Sequence, residues 1–317
     1  MSMRQVVSLE SASLSVTIPR PNAPHVWVDH ARTAPGEVVE RLQGAEVALI
    51  NKCRLDAAVL DQLPALRMIS VCATGTDNVD LAACRARGII VSNVRDYAVN
   101  AVPEHALMLM MALRRQLMAY VDDVRSGRWC AAPTFGLFDR PVADLHGASL
   151  AIVGFGGLGA GLARLAEALG MTVLKAERKG VASAREGYLP FTDALARADV
   201  VSLHCPLTAE TRHLMGAAEF ARMQPHAVLI NTARGGLIDE LALAHALRSG
   251  QIAGAALDVL SQEPPPRDHP LLAPDIPNLI ITPHMAWASQ SAVQRLADSA
   301  VAHIEAYLRG APVSRVA

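Results

Sequence analysis

One hexapeptide constrains the fold of this chain more than any other feature. It is Gly154–Phe155–Gly156–Gly157–Leu158–Gly159, and it lies near the middle of the 317 residues. An apolar run, Ser149 to Val153, precedes it, and an alternating apolar and polar stretch that ends at Gly170 follows it. This order predicts a strand, a glycine turn and a helix, the context in which a G-x-G-x-x-G pattern indicates dinucleotide binding.

The glycines of this turn have separate physical roles. Gly154 permits the tight turn, Gly156 lets the backbone approach a pyrophosphate, and Gly159 allows the helix to pack close to its strand. The helix N-terminus adds N–H groups and a partial positive charge for the phosphates. We therefore predict that Gly154, Gly156, Gly157, Leu158 and Gly159 contact a dinucleotide.

The strand that follows the predicted helix ends at an acidic residue, Glu177. A carboxylate at this distance from the first glycine normally binds the ribose hydroxyls of the adenosine, and it repels a 2′-phosphate. This pattern favours NAD over NADP. The next residues, Arg178 and Lys179, could bind a 2′-phosphate, so NADP remains an alternative at this point.

Short β-rich runs alternate with helical patterns from end to end, which predicts βαβ units around parallel sheets. The runs before the glycine turn are Val6–Leu9, Val26–Asp29, Val47–Asn51, Met68–Ala73 and Ile89–Asn93. Those after it are Thr172–Ala176, Asp199–Cys205, Val228–Thr232, Gly254–Val259 and Leu279–Thr282. The predicted fold class is α/β, with two Rossmann-like or flavodoxin-like parallel-sheet domains.

The position of the glycine turn also predicts the domain boundaries. We expect a dinucleotide-binding Rossmann domain over residues 98–286 and a substrate domain over residues 1–97 and 287–317. The final amphipathic segment, Ser289 to Leu308, has no sheet partner after Thr282, so it is expected to pack on the first domain. Two crossings between domains predict a cleft, which is a preferred place for ligands.

Composition excludes several classes of function. The net charge of −1 argues against a nucleic-acid or anionic-membrane surface. No uncharged apolar stretch reaches about 18 residues, so a membrane span is not expected. The first twenty residues lack the apolar core of a signal peptide, and the five scattered cysteines include no C-x-x-C pair. We expect a cytoplasmic protein without a structural metal.

Three chemically reactive side chains follow predicted strands downstream of the glycine turn: Arg234, Glu263 and His284. Ligands of doubly wound folds bind beyond the carboxyl ends of the strands. These side chains are therefore expected to converge where a nicotinamide ring would lie.

With these segments in place, the whole chain resembles the NAD-dependent D-isomer-specific 2-hydroxyacid dehydrogenases. Within that family it most resembles the glycerate dehydrogenase and hydroxypyruvate reductase group. The matching stretches occur in family order along the chain. They are residues 73–80, the glycine turn, residues 204–208, and the segments around Arg234, Glu263 and His284–Trp287.

The resemblance implies reduction of a small 2-keto acid such as hydroxypyruvate or glyoxylate, or oxidation of D-glycerate in reverse. Arg234 would clamp the carboxylate or carbonyl oxygen with its planar fork. His284 would donate the proton in reduction and accept it in oxidation. Glu263, as the partner of His284, would favour the charged imidazolium.

The resemblance also implies further contacts. Asp258 would contact the nicotinamide carboxamide, although it could instead cap the loop that follows. Cofactor contacts made largely through backbone are implied for Cys205, Pro206, Thr232 and Ala233. The N–H groups of Ala73, Thr74 and Gly75 could bind the substrate carboxylate or simply form a tight turn, and Asn51 could face the same ligand. The family further implies a homodimer built through the dinucleotide domains.

Other members of this fold remain as alternatives. Formate dehydrogenases pair their histidine with glutamine, so Glu263 argues against that activity. A short phosphoglycerate dehydrogenase stays open, as does a corepressor-like protein that senses dinucleotides. Pro103, at the start of a long apolar helix predicted from Ala101 to Arg115, carries no functional conclusion.

Overall fold

Two fully parallel sheets organise residues 3–317, the part of the chain that the computed structural model describes. One sheet belongs to unit 1, formed by Met1–Tyr97 with Ala288–Ala317, and the other to unit 2, Ala98–Trp287. Parallel neighbours require crossover connections, which explains why strands and helices alternate along the chain. The predicted fold class, two parallel-sheet α/β domains, is confirmed.

Unit 1 contains five strands in the order β2-β1-β3-β4-β5. They are β1 (Arg4–Ser8), β2 (His25–Asp29), β3 (Val47–Ile50), β4 (Met68–Val71) and β5 (Ile90–Asn93). Its α-helices are α1 (Val38–Leu42), α2 (Ala57–Asp61), α3 (Leu81–Ala86) and α10 (Gln290–Leu308). Each strand predicted here overlaps an observed one.

Burial on both faces of β4 explains how unit 1 is assembled. Ile69 and Val71 belong to a buried cluster on one face of the sheet. On the other face, the buried Ser70 hydroxyl donates to the carbonyl of Ala300 on α10 at 3.0 Å. The final helix therefore packs on the sheet of the first unit.

Unit 2 contains six strands in the order β11-β10-β9-β8-β6-β7. They are β6 (Ser149–Val153), β7 (Thr172–Ala176), β8 (Val200–Leu203), β9 (Val228–Asn231), β10 (Gly254–Leu257) and β11 (Leu279–Ile281). Its α-helices are α4 (Ala101–Arg114), α5 (Leu117–Arg125), α6 (Gly157–Ala168), α7 (Phe191–Arg197), α8 (Ala217–Phe220) and α9 (Glu240–Arg248). The chain reverses direction across the sheet between β6 and β8, and such a switch point is where open α/β sheets bind ligands.

Two hydrophobic cores cover the two faces of this sheet. Along β6, Ala151 and Val153 face one core, whereas Leu150 and Ile152 face the other. This alternation is the two-residue period of a strand that is buried on both sides. The long apolar helix predicted near Ala101 is confirmed as α4, and no helix of the described residues is long and apolar enough to cross a membrane.

Pro103 has a packing role in this unit. A Cβ atom added to Gly161 on α6 would lie 2.7 Å from Pro103 Cγ and 3.0 Å from the carbonyl oxygen of Val99. Helices α4 and α6 therefore approach closely because one presents a proline ring and the other presents no side chain.

Candidate active site

The glycine turn after β6 has the geometry that its sequence predicts. Gly154 has φ of 97°, and a Cβ there would lie 2.6 Å from the backbone nitrogen of Cys205. A Cβ on Gly159 would lie 2.3 Å from the carbonyl oxygen of Gly154, so this glycine allows the close approach of α6. A Cβ on Gly156 would meet no atom within 4 Å. The turn is therefore closely packed at Gly154 and Gly159 and open at Gly156, where a phosphate could approach the N-terminus of α6.

The segment beneath this turn is neutral. The N–H of His204 donates to the Val153 carbonyl at 2.7 Å, which ties the segment to the end of β6. Burial lowers the pKa of His204 to about 4 and raises the pKa of the Cys205 thiol to about 11. Cys205 and Pro206 therefore present an uncharged wall beside the turn, and the Cys205 thiol is not set up as a nucleophile.

The carboxylate of Glu177 is already paired. Arg185 forms a two-point contact with it, through Nε to Oε2 at 2.6 Å and Nη2 to Oε1 at 3.0 Å. The N–H groups of Arg178 and Arg185 add bonds of 2.8 and 3.1 Å. The Arg185 guanidinium and these N–H groups lower the pKa of Glu177 to about 2. In this arrangement both oxygens are occupied, so the predicted ribose contact requires Arg185 to move.

The two cations that follow Glu177 differ in their surroundings. Lys179 Nζ lies 2.8 Å from Oε1 of Glu219 and is therefore drawn away from the end of β7. Arg178 is exposed. The sequence did not single out Arg185, which lies further along the loop and stacks over Tyr188 with 4.1 Å between the guanidinium carbon and the ring centre. Arg185, rather than Lys179, neutralises Glu177.

A buried asparagine shapes the loop that carries Arg234. The side chain of Asn231, fully buried, accepts from the Ala233 N–H at 3.0 Å and donates to the Arg234 carbonyl at 2.9 Å. Arg234 Nη1 donates to the Ala233 carbonyl at 2.8 Å. Asn231 was missed as a site residue, although asparagine at a strand end is a recognised turn signal.

This loop lies directly against the one that carries Glu263. A Cβ on Gly235 would lie 1.9 Å from the carbonyl carbon of Leu260, which leaves no space for a side chain. The Leu260 N–H in turn donates to Glu263 Oε1 at 2.9 Å. The close contact at Gly235 thus places Arg234 and Glu263 on adjoining loops of unit 2.

Glu263 and His284 form the central pair of the site. Oε2 of Glu263 lies 2.5 Å from Nδ1 of His284, and both side chains are about one-quarter to one-third exposed, at 34% and 26%. Since Nδ1 faces the carboxylate, Nε2 is the ring nitrogen that can face a substrate. The pair can hold and orient a proton at this edge of the sheet.

Asp258 holds the loop on which His284 stands. Its buried carboxylate accepts from the Thr282 hydroxyl at 2.5 Å and from the N–H groups of Met285 and Ala286 at 2.9 and 2.8 Å. His284 itself has φ of 52°, a left-handed conformation that costs energy in most non-glycine residues. These contacts hold the loop after β11 and not the loop that follows Asp258 itself, and the nicotinamide contact stays a prediction.

His105 extends this network from α4. Its Nε2 lies 3.1 Å from the Thr282 hydroxyl oxygen. Because the single hydroxyl proton of Thr282 is donated to Asp258, His105 must be the donor in this bond. Burial lowers the pKa of His105, although Asp258 opposes the effect. Sequence reasoning assigned no role to His105 because an isolated histidine in an apolar helix gives no signal of its partner.

The end of β9 carries an unusual hydroxyl. Thr232 is 8% exposed, and its Oγ1 is buried without a hydrogen-bond partner within residues 3–317. A buried polar group of this kind is normally satisfied by a partner or a ligand. Together with the open face of Gly156, it fits a polar cofactor that lies across the carboxyl ends of the strands. No group of three or more His, Cys, Asp or Glu side chains in the described chain could hold a metal ion.

The predicted substrate residues of unit 1 follow β3 and β4. Thr74 Oγ1 donates to the Val94 carbonyl at 2.7 Å, and Asn93 donates to the Thr74 carbonyl at 2.6 Å. Within residues 3–317, the N–H groups of Ala73, Thr74 and Gly75 donate to no backbone carbonyl. This turn is therefore held by its side chain and carbonyl.

Asn51 lies in a different environment. Its side chain is buried and donates to the Ser13 hydroxyl at 3.1 Å. Its N–H and those of Lys52 and Cys53 converge on Oε2 of Glu10 at 2.8 to 2.9 Å. The backbone donors here already bind an internal carboxylate, so Asn51 is less suited to a substrate than the turn after β4.

Comparison with known proteins agrees with this geometry. The family described as D-isomer specific 2-hydroxyacid dehydrogenase, NAD binding domain, matches residues 107–286. A glycerate dehydrogenase of Methylorubrum extorquens is 48% identical over 310 residues, which cover 98% of each chain. A hydroxypyruvate reductase of Blautia hydrogenotrophica is 35% identical over 88% of this chain and 87% of its own. The crystal structure of the TT0316 protein from Thermus thermophilus matches with a TM-score of 0.84 and 33% identity, covering 99% of this chain and 100% of the other.

Proposed function

The chain belongs to the D-isomer-specific 2-hydroxyacid dehydrogenase family, and from this premise we propose that it reduces hydroxypyruvate or glyoxylate with NADH. Membership makes it an NAD-binding oxidoreductase that acts on the CH–OH group. The choice of substrate is supported by relatives named glycerate dehydrogenase and hydroxypyruvate reductase. Neither the phosphoglycerate nor the corepressor alternative is favoured by the comparisons.

The contact between Glu263 and His284, at 2.5 Å, is the observation that carries the proposal. Reduction of a ketone requires a hydride at carbon and a proton at oxygen, and bound NADH supplies the hydride. Nε2 of His284 donates the proton to the carbonyl oxygen in reduction and accepts it from the alcohol in oxidation. The Glu263 carboxylate orients the ring by binding Nδ1, so that Nε2 can face the substrate.

Arg234 binds and orients the substrate in this proposal. A guanidinium forms two parallel bonds to a carboxylate, or to a carboxylate and an adjacent carbonyl, and thereby fixes the plane of a 2-keto acid. Its loop is rigid because Asn231 and Gly235 hold it. The N–H groups of the turn Ala73–Gly75 would bind the substrate carboxylate.

Each unit has a separate role in the proposal. Residues 98–286 bind the dinucleotide, and residues 1–97 with 287–317 bind the substrate. At the adenosine end, Glu177 selects NAD when Arg185 releases it, whereas the paired state carries no net charge to repel a 2′-phosphate. We therefore propose that NADH is the preferred cofactor and that NADPH is also accepted.

We further propose that the protein is a homodimer built through unit 2. Many of its exposed large apolar side chains occur on α4, α5 and the loop after them, and these include Met111, Met118, Phe135 and Phe138. Phe135 and Phe138 are 87% and 73% exposed. Such apolar surface is typical of an interface. Aspartate at both phenylalanines should shift the mass measured by light scattering from dimer to monomer.

The five unpaired cysteines support a reducing, cytosolic location.

A panel of 2-keto acids tests the proposed reaction. Specificity constants are measured for hydroxypyruvate, glyoxylate, pyruvate and 3-phosphohydroxypyruvate, each with NADH and NADPH, and the product configuration is determined. We expect the highest value for hydroxypyruvate or glyoxylate and a D product. A preference for the phosphorylated acid would favour the phosphoglycerate alternative. Cofactor binding without turnover of any acid would favour the sensing alternative.

A further inference from the structure

Unit 1 contains a cavity of about 220 Å³ that the proposed reaction does not use. It is open to solvent and lies between three segments: the residues just after β5, one face of α10, and the tail that follows α10. The lining residues are Val94, Arg95, Ser299, His303, Ser314 and Arg315.

The walls of this cavity are held by the protein itself. The tail runs along the edge of β5, where the Ser92 hydroxyl donates to the Val313 carbonyl at 2.7 Å and the Val316 N–H donates to the Val91 carbonyl at 2.8 Å. Ser299 and His303 lie one turn apart on α10, so both face the same side of the helix. The cavity is therefore a preformed feature of the fold.

The lining is suited to an anion. Two arginines and two hydroxyls line the cavity, and none of the six residues is acidic. His303 is only 8% exposed, and its Nδ1 is buried with no hydrogen-bond partner in the part of the chain that the structure describes. Rotation of the imidazole ring would turn this covered nitrogen towards the cavity, where it could donate to an oxyanion. Leaving such a group unpaired is unfavourable.

Backbone conformation marks the same place. Asp96, next to Arg95, and Ser314, next to Arg315, both have left-handed φ angles, of 56° and 53°. Non-glycine residues adopt this conformation when the surrounding structure imposes it, often at ligand sites. Strained backbone therefore borders the cavity on two sides, next to Arg95 and next to Arg315.

We propose that this cavity binds the phosphate group of a small phosphate monoester. The guanidinium forks of Arg95 and Arg315 bind phosphate oxygens, and the hydroxyls of Ser299 and Ser314 donate further hydrogen bonds. His303 Nδ1 adds one more when its ring rotates towards the cavity. The volume leaves space for a short organic group beyond the phosphate. Bound ligand joins the tail, α10 and β5, and therefore stabilises unit 1. None of the lining residues is Arg234, Glu263 or His284, although the Val94 carbonyl also accepts from Thr74 of the proposed substrate turn.

Calorimetry with two probes tests this site. Inorganic phosphate and glycerol 3-phosphate are titrated, at constant ionic strength, into the full chain saturated with NAD⁺, so that the dinucleotide's own phosphate loop is filled. We expect one saturable site per chain, tighter binding of the monoester, and a Tm that rises with ligand concentration. Equal affinity for both probes would identify inorganic phosphate as the ligand and overturn the monoester assignment.

Three variants locate the binding. Arg315→Ala should weaken it by about tenfold or more, since a charge-assisted hydrogen-bonding group is lost. Ser299→Asp places a carboxylate in the cavity and should abolish it. Arg54→Ala is the matched control, because this arginine of unit 1 is 80% exposed and does not line the cavity. Circular dichroism confirms folding of each variant. The proposal is overturned if the parent shows no saturable binding, or if Arg315→Ala and Ser299→Asp bind as the parent does.

Discussion

The turns after β4 and β6 have a similar origin but different chemistry. Both follow a buried parallel strand. In unit 2, α6 begins at Gly157, immediately after the glycine turn, so the turn offers a helix N-terminus to a ligand. In unit 1, α3 begins at Leu81, well after the end of β4, and the turn at Ala73–Gly75 offers backbone N–H groups without a helix behind them.

Under the proposed function, the two similar sheets would bind different parts of the reactants. A pyrophosphate benefits from the dipole of a helix, whereas a single carboxylate can be bound by a few N–H groups. The reactive side chains follow the strands of unit 2 alone. Function is therefore decided by the residues just beyond the strands and not by the shared architecture.

The largest predicted effect tests whether unit 2 supplies the proton. His284→Ala should lower kcat by about 10²- to 10⁴-fold, because the proton donor is removed. The Kd of NADH, measured by fluorescence titration, should stay near that of the parent, since the ring does not hold the adenosine. His226→Ala is the control, because this histidine is 61% exposed and pairs with Asp199. Parent-like kcat in His284→Ala would refute the assignment.

A second prediction concerns the support of that histidine. Asp258→Asn replaces one acceptor oxygen by an NH₂ group that faces N–H or O–H donors, which should cost about 2 kcal/mol of the free energy of unfolding. Because the loop at His284 loosens, we expect kcat to fall by roughly tenfold to a hundredfold, with a smaller change in KM. Asp239→Asn, which alters only the cap of α9, is the control. A lower Tm with unchanged kcat would show that Asp258 is structural only.

A smaller effect is expected from a substitution near Glu177, where the adenosine of the cofactor is proposed to bind. Arg185→Ala frees the Glu177 carboxylate, so binding of 2′,5′-ADP should weaken by about tenfold while binding of 5′-ADP is kept or improved. Calorimetry on both nucleotides measures the ratio, with the exposed Arg222 changed to alanine as the control. Equal weakening of both nucleotides would mean that Arg185 only maintains the fold of its loop.

The smallest expected effect tests unit 1. Thr74→Val removes the hydroxyl that ties the turn to Val94, and we expect KM for the keto acid to rise by about two- to tenfold. The Kd of NADH should not change. Thr33→Val is the control elsewhere in unit 1, because it removes a bond of 2.6 Å to the Leu9 carbonyl together with one of 2.8 Å accepted from Arg41. An unchanged KM would mean that the turn does not bind the substrate. Arg234 would then be the main group that binds the substrate carboxylate.

Much of the fold could be predicted because its signals are local. Apolar runs mark the buried strands, Asp80 caps α3 by accepting from the Ala83 N–H at 2.8 Å, and Gly88 follows that helix with φ of 67°. The spacing of the glycine turn likewise predicts its packing at Gly154 and Gly159. In these cases a few neighbouring residues determine the structure.

The remaining features depend on partners far apart in the sequence. The pairing of Glu177 with Arg185 depends on the path of an intervening loop, and the bond from His105 to Thr282 joins segments 177 positions apart. That the buried hydroxyl of Thr232 lacks a hydrogen-bond partner within residues 3–317 can be recognised only from the structure around it. No pattern of neighbouring residues could indicate these contacts, because each results from how the chain packs.

The contact between Pro103 and Gly161 has a consequence for sequence divergence. A side chain at position 161 would meet the proline ring first, so a relative that acquires one there should also have lost its proline at the position of 103. The two positions should therefore change together, and a double-mutant cycle should show coupling between them. Pro103 therefore indicates that relatives which keep this proline should also keep glycine at position 161.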